Sequence, residues 1–386
     1  MATNKFKRGG VSMFLVIVAG SLVALVVASF LRLIIRDQQG ASNSDLSQSA
    51  YDSAQAGVED AKRALLIYQK TCANVAKANE CSKMRAELSK DLNTQSCRIL
   101  AEVFGIGDLG SSETIVQTNA EDSSLNQAYT CVKINPTTAN FEGELNANSS
   151  KIIPLKSDRA FRFVKISWHT KADNNNVAEV KLPSSDSDML EVFAKNSEWE
   201  SSKFPSVVRA QIITSGSFDY SNYIESDKNI SKTAFLFPSS SGVSDAIISA
   251  QSSATRHNFS KDSLSSVRCS NSLNSATYAC SAMIDLGSEI SPDAGALMKI
   301  SAQYGATTNY SIELFDSSRG AVNFDGVQPL IDSTGRASDK FRRVQSRVEM
   351  NSTTLPIPDF AVSTDGKFCK VMIVRDSTEP STIECK

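Results

Sequence analysis

Residues 5–31 read KFKRGGVSMFLVIVAGSLVALVVASFL, a short basic stretch followed by an uncharged apolar run from Val11 to Leu31. The run is 21 residues long, and a helix of that length covers about 30 Å at a rise of about 1.5 Å per residue. This matches the hydrocarbon core of a bilayer, whereas a core helix of a soluble protein rarely needs such length. The pattern therefore predicts a transmembrane helix over residues 11–35.

The charges on either side of the run predict its orientation. The leader, residues 1–10, carries Lys5, Lys7 and Arg8 and no acidic residue, and basic flanks stay preferentially in the cytoplasm. Arg32 and Arg36 weaken this asymmetry, although Arg32 can extend its guanidinium group to the interface. We expect a single-pass protein of the cytoplasmic membrane, with its N-terminus inside and its C-terminal part extracytoplasmic.

The cysteines support the same compartment, because all of them follow the apolar run. Their number is even and none forms a C-x-x-C pair, which favours disulfides in an oxidising space over a metal or redox site. Candidate bridges join neighbours in sequence, but spacing alone does not fix the connectivity. The eight residues are Cys72, Cys81, Cys97, Cys131, Cys269, Cys280, Cys369 and Cys385.

A helical stripe of apolar and small residues follows the membrane run. Steps of three and four residues predict a helix that packs along one face, and its small members let another backbone approach closely. We expect Leu65, Leu66 and Tyr68 to be buried against a globular head. Gly40 should interrupt the helix, with Ser44 or Asp45 capping a new start. The packing residues are Leu15, within the membrane run, and Leu46, Ala50, Ala54, Gly57, Val58, Ala61 and Leu65.

Two segments resemble a known family. The junction Lys7-Arg8-Gly9-Gly10-Val11 resembles the site cut by prepilin peptidase, and residues 50–61, AYDSAQAGVEDA, are similar to the post-membrane segment of PilX-like type IV pilus assembly proteins. The resemblance implies cleavage after Gly10, with Val11 as the mature N-terminus of a minor pilin. It also implies that other pilins, the pilus assembly machinery and prepilin peptidase are its partners.

One position departs from the pattern of major pilins. Those proteins carry a glutamate at the fifth mature position, where this chain has Leu15. In the resembled family that acid pairs with the terminal amine of a neighbouring subunit. Minor pilins near a filament tip commonly lack it, so the resemblance implies an initiating or tip-associated subunit.

The rest of the chain predicts an α+β fold, with the long helix followed by a mainly antiparallel β head. Residues 36–107 should form a helical stalk and short helices, and residues 108–386 a β-rich head whose length favours two lobes. Residues 298–304 alternate apolar and polar side chains, as a half-buried strand does. Ser333-Thr334-Gly335 predicts a tight turn before the strand of residues 341–348.

The sequence contains no local motif of the common enzyme classes. We expect no catalysis, no cofactor and no metal site, and the acidic and amide cluster of residues 173–176 is interpreted as a solvated turn. A net charge of −2 argues against specific nucleic-acid binding.

Three functions remain open from the sequence. The favoured one is a minor pilin-like subunit whose head adheres to a host or cell-surface ligand. The alternative is an uncleaved, single-pass surface adhesin or receptor ectodomain. A hydrolase on the outer face is the third.

Overall fold

The computed structural model of the protein describes residues 9–116, 126–147, 149–183, 199, 203–214, 231–241, 247–249, 251–252, 264–274, 277–292 and 294–350. Its first element, α1, is one continuous helix of 64 residues that spans Gly9–Cys72, about 96 Å at the standard rise. The expected break at Gly40 and the new start at Ser44 or Asp45 are therefore wrong. A single glycine costs a helix only about 1 kcal/mol relative to alanine, which the flanking turns tolerate.

Two short helices follow α1 after a turn of 3₁₀ helix at Val75–Lys77. Helix α2 spans Ala78–Leu88, and helix α3 spans Ile99–Phe104. Gly105 ends α3 in the left-handed region, with φ 67°, a conformation that glycine adopts without steric cost.

The described strands run from residue 114 to residue 347. They are β1 (Thr114–Ile115), β2 (Gln127–Thr138), β3 (Asn140–Leu145), β4 (Ser150–Pro154), β5 (Phe161–Thr170), β6 (Val207–Thr214), β7 (Ser231–Ser239), β8 (Ile247–Ser249), β9 (Gln251–Ser252), β10 (Leu264–Arg268), β11 (Tyr278–Ile290), β12 (Ala296–Tyr304), β13 (Thr308–Phe315), β14 (Ala321–Val322), β15 (Phe324–Ala337) and β16 (Lys340–Arg347).

Four of these strands form an antiparallel sheet in the order β1-β2-β15-β16, and the C-terminal half of α1 packs on it. We call this helix-bound sheet, with α2 and α3, the base. Its core joins Val58, Ala61 and Leu65 of α1 to Val132 of β2 and Ile331 of β15.

The remaining strands form two six-stranded sheets that share one large apolar core, which we call the sandwich. One sheet has the order β10-β7-β6-β12-β4 with β9 beside β7. The other has the order β14-β13-β5-β11-β8, with β3 also on β13. Most pairs are antiparallel, whereas β7–β10 and β8–β11 are parallel.

The sandwich is an insertion in the base. Strand β2 enters it directly through β3, and the chain returns from β14 to β15, which pairs with β2 over most of its length. The described head therefore has two main cores, which meet at one seam, and a small third cluster made by Trp199, Val207 and Phe237. An α+β fold with a helix and a mainly antiparallel β head is confirmed.

Two local expectations are wrong. Ser333-Thr334-Gly335 lies within β15, and the chain turns later, at Ser338 and Asp339, where Ala337 pairs with Lys340. Strand β12, which lies between β6 and β4 in its sheet, is buried on both faces from Ala296 to Ala302, and the polar Lys299 and Ser301 are among its buried residues.

Candidate functional site

The N-terminal part of α1 is a bare apolar rod. Every large apolar side chain from Met13 to Ile35 is between 42% and 70% exposed, and an 18-residue window there has a mean hydropathy of 2.8. So much contiguous apolar surface is unstable in water. The rod is compatible with a single-pass membrane anchor.

The polar groups inside the rod are satisfied within the helix. Ser29 donates its hydroxyl to the carbonyl of Leu25 at 2.8 Å, and Ser21 bonds the carbonyl of Ile17 in the same way. Because lipid offers no hydrogen-bond partner, such internal bonds are what a membrane segment requires. Gly10 and Val11 lie within α1, and Leu15 is exposed on the rod with the other apolar side chains.

The packing stripe lies further along α1, against the base of the same chain. Ala50, Ala54, Val58, Ala61 and Leu65 are all buried. The expected approach of another backbone is therefore made here by strand β15.

The edges of the stripe differ from its centre. Leu46 and Tyr68 are half-buried. Leu66 is 58% exposed, so its expected burial is wrong. It lies one position beyond Leu65, a rotation of about 100°, which carries it away from the sheet.

Two glycines make the close contact between helix and sheet. A Cβ atom on Gly335 of β15 would lie 2.2 Å from both the carbonyl oxygen of Ala50 and the amide nitrogen of Ala54. A Cβ atom on Gly57 of α1 would lie 2.4 Å from the hydroxyl of Ser333. Real Cβ atoms do not approach other atoms so closely. At Gly335 the obstacle is backbone, so this position requires glycine if the helix is to sit at this depth, whereas at Gly57 the side chains of Ser333 and Val132 would have to move.

A buried polar contact fixes the same interface. Tyr129 of β2 donates its phenol to the carboxylate of Asp60 at 2.9 Å. Burial, together with this hydrogen bond, raises the pKa of Tyr129 to about 12. Asp60 and Gly57 both attach the helix to its own head.

Three disulfides brace the described residues. Cys72–Cys81 joins the end of α1 to α2, and Cys97–Cys131 joins the start of α3 to β2. Cys269–Cys280 joins the residue after β10 to β11 and so links the two sheets of the sandwich. Cys369 and Cys385 lie outside the described residues.

The chemistry available for catalysis or metal binding is sparse. Among the residues that the structure describes, no three His, Cys, Asp or Glu side chains cluster as metal ligands do. His169 is buried, and burial lowers its pKa. The carboxylate of Asp173, in the cluster of residues 173–176, accepts hydrogen bonds from Thr170 and Asn309, which makes it part of a structural turn.

Sequence reasoning missed Gly335 and Tyr129. Gly335 follows serine and threonine, a composition typical of turns, so its role in close packing was hidden. Tyr129 has no local motif at all. A comparison of the chain with protein-family models, with curated proteins and with solved structures found no match.

Proposed function

We propose that this protein is a minor pilin-like subunit, initiating or tip-associated, of a type IV pilus or a related filament, and that its head is adhesive. The observation that supports this most is the division of α1 into two halves. One half is a bare apolar rod, and the other is packed by small residues into a four-stranded sheet. A subunit that moves from lipid into a bundle of helices needs both halves in one rigid element.

The transfer from membrane to filament is energetically balanced. In the bilayer the rod contacts acyl chains, and in the filament it contacts the helices of other pilins. Side chains such as Phe14, Ile17 and Leu22 remain out of water in both states, so the burial energy of about 1.5–3 kcal/mol for each is retained. The assembly machinery has to supply little energy for the exchange itself.

Leu15 limits the place of the subunit in the filament. Without a carboxylate at this position, the subunit makes no ion pair with the terminal amine of a neighbour, and repeated stacking of this chain is disfavoured. One copy or a few copies at an end are the expected stoichiometry.

The inserted sandwich fits an adhesive tip. Because it enters and leaves the base through adjacent strands, β2 and β15, it enlarges the head while the helix-bound sheet stays complete. Such an arrangement leaves a large surface free for a ligand on a host or another cell.

The mature N-terminus tests the proposal directly. Mass spectrometry of the protein from membranes and from sheared filaments should find Val11 as the first residue. Gly10→Val should block cleavage, whereas Gly20→Ala, a change inside the rod where the Cβ position is open, should leave cleavage intact. Deleting the gene should reduce the number of filaments, and a normal number would contradict the proposal.

The alternative is an uncleaved surface adhesin or receptor ectodomain anchored by the same rod. The missing acid at Leu15 favours it, because a plain anchor has no use for that group. It predicts a chain that retains residues 1–10 and filaments that form normally without it. Thiol labelling of intact cells tests the orientation common to both functions, since free, cytoplasmic cysteines would exclude both.

A further inference from the structure

An open cleft of about 540 Å³ lies at the seam between the base and the sandwich. Its volume lies in the range of small-ligand sites, about 300–1,000 Å³. Strands β3, β5, β11 and β13 supply one wall, and β15 and β16 supply the other. The lining side chains that bear on recognition are Glu142, Glu144, Tyr278, Asn309, Gln328 and Arg347.

Hydrogen bonds hold the two walls of the cleft together. The Gln328 side chain donates to the carbonyl of Glu142 at 2.7 Å and accepts from its amide at 3.0 Å. Arg347 reaches across from β16 and donates to the side-chain oxygen of Asn140 at 2.9 Å. These contacts fix the cleft before any ligand arrives, which lowers the entropic cost of binding.

Asp173 fixes the floor of the cleft. Its carboxylate accepts from the backbone amide of Asn309 at 3.0 Å and from the Asn309 side chain at 2.7 Å. The same carboxylate accepts from the hydroxyl of Thr170 at 2.9 Å. The side chains of these two lining residues are therefore held in place.

Other groups in the cleft are left available. Glu144 is exposed and has no hydrogen-bond or ion-pair partner in the described part of the chain. Tyr278 is half-buried, and burial, followed by the nearby Glu142 carboxylate, raises the pKa of its phenol, which stays neutral at ordinary pH. The cleft thus offers a free carboxylate, a neutral aromatic ring and an excess of negative charge.

We propose that this cleft binds a neutral saccharide. A sugar presents C–H faces that pack on an aromatic ring such as Tyr278, and hydroxyl pairs that donate to carboxylates such as Glu144 and Glu142. The two carboxylates against the single cation Arg347 repel anionic sugars such as sialic acid. An apolar ligand is disfavoured because it would cover the charged side chains of Glu142, Glu144 and Arg347 and remove them from water.

This inference deepens the adhesive part of the proposed function and rests on it. The experiment uses the full chain in lipid nanodiscs without glycolipid, because sugar detergents would occupy the cleft. The probe is a printed glycan array in which each neutral oligosaccharide lies beside its sialylated form. We expect binding to neutral members and at least tenfold weaker binding to their sialylated forms.

Matched variants assign any binding to the cleft. Glu144→Ala and Tyr278→Ala should each reduce array binding at least tenfold. Glu179→Ala should leave it unchanged, since Glu179 is likewise exposed and has no side-chain partner among the described residues, but lies outside the cleft. Tyr278→Phe, which keeps the ring, should retain most of the binding, and an unchanged cooperative thermal unfolding of Tyr278→Ala shows that its loss of binding does not reflect misfolding.

The outcomes separate this inference from the proposed function. Absence of binding to every neutral oligosaccharide, a preference for sialylated members, or full binding by Glu144→Ala would each overturn the saccharide site. Filament number in cells carrying Glu144→Ala should equal that of the wild type. If the saccharide site fails while gene deletion still removes filaments, the pilin function stands alone.

Discussion

Asp60 of α1 and Tyr129 of β2 lie 69 positions apart in the sequence and are joined by a hydrogen bond of 2.9 Å. The bond ties the helix to the second strand of the base next to the close contact of Gly57 with Ser333. Helix and sheet are thus held by shape at the glycines and by a directed polar contact at Asp60. The proposed extraction of the rod from lipid requires such a rigid joint between helix and head.

Removing this hydrogen bond should weaken the base. Tyr129→Phe and Asp60→Ala should each lower the free energy of unfolding by about 1.5 kcal/mol, the low end of the range for a hydrogen bond to a charged group. The double variant should lose less than the sum of the two, because each single change already breaks the contact. Urea unfolding of the four proteins checks this, and strictly additive losses would show that the two residues do not interact.

The same tyrosine predicts how stability depends on alkaline pH. Burial raises the pKa of Tyr129 from 10.0 to about 12, so the folded state holds the phenolic proton more tightly than the unfolded state. The resulting stabilisation is complete below pH 10 and is lost as the pH rises towards 12. Tyr129→Phe should therefore lose stability less steeply across this window. The free energy of unfolding of the two proteins is measured between pH 9 and pH 12. An equal dependence on pH in both would show that Tyr129 is not the group responsible.

Glycine substitutions should have opposite effects at two positions. Gly335→Ala places a methyl group 2.2 Å from backbone atoms of Ala50 and Ala54, and backbone cannot move aside as a flexible side chain can. We expect a loss of about 3 kcal/mol or more. Gly40→Ala meets nothing within 4 Å and should stabilise the helix by up to about 1 kcal/mol. Thermal unfolding of both variants measures these effects. An unchanged stability of Gly335→Ala would show that the helix can shift to make room for the methyl group.

The sequence alone was sufficient to predict the helices and strands whose apolar residues recur with a strong periodicity. The apolar run, the stripe from Ala50 to Leu65 and the strand of residues 298–304 each follow a regular pattern, so their positions could be predicted. The continuity of α1 through Gly40 could not be predicted. The low helix propensity of a single glycine costs about 1 kcal/mol, and the helical residues on either side outweigh it.

The long-range features of the site were also out of reach of sequence reasoning. Glu144 and Arg347 meet at the cleft only because the sandwich is inserted between β2 and β15, and no local signal marks two strands as neighbours across such a distance. Gly335 looked like a turn residue because glycine serves both turns and close packing. Only the helix lying across β15 distinguishes the two roles.

The disulfides should differ in their contribution to stability. Cys97–Cys131 closes a loop with a sequence separation of 34, whereas Cys72–Cys81 has a separation of 9. In the loop-entropy model the longer bridge stabilises by about 4 kcal/mol and the shorter by about 3 kcal/mol. Replacing both cysteines of each pair by serine should lower the urea midpoint more for Cys97 and Cys131. The reverse order would show that local packing around Cys72 dominates.

Restoring the carboxylate missing from the rod tests the end position of the subunit. Leu15→Glu supplies an acid at the fifth position counted from Val11, where in the proposed filament it can pair with the terminal amine of a neighbour and offset the cost of a buried charge. If its absence is what restricts this chain to a filament end, the variant should enter the shaft, and its ratio to the major subunit in sheared filaments should rise several-fold by quantitative mass spectrometry. Leu15→Gln, which is polar but uncharged, should keep the wild-type ratio. An unchanged ratio for Leu15→Glu would mean that another feature, such as the bulk of the inserted sandwich, prevents stacking.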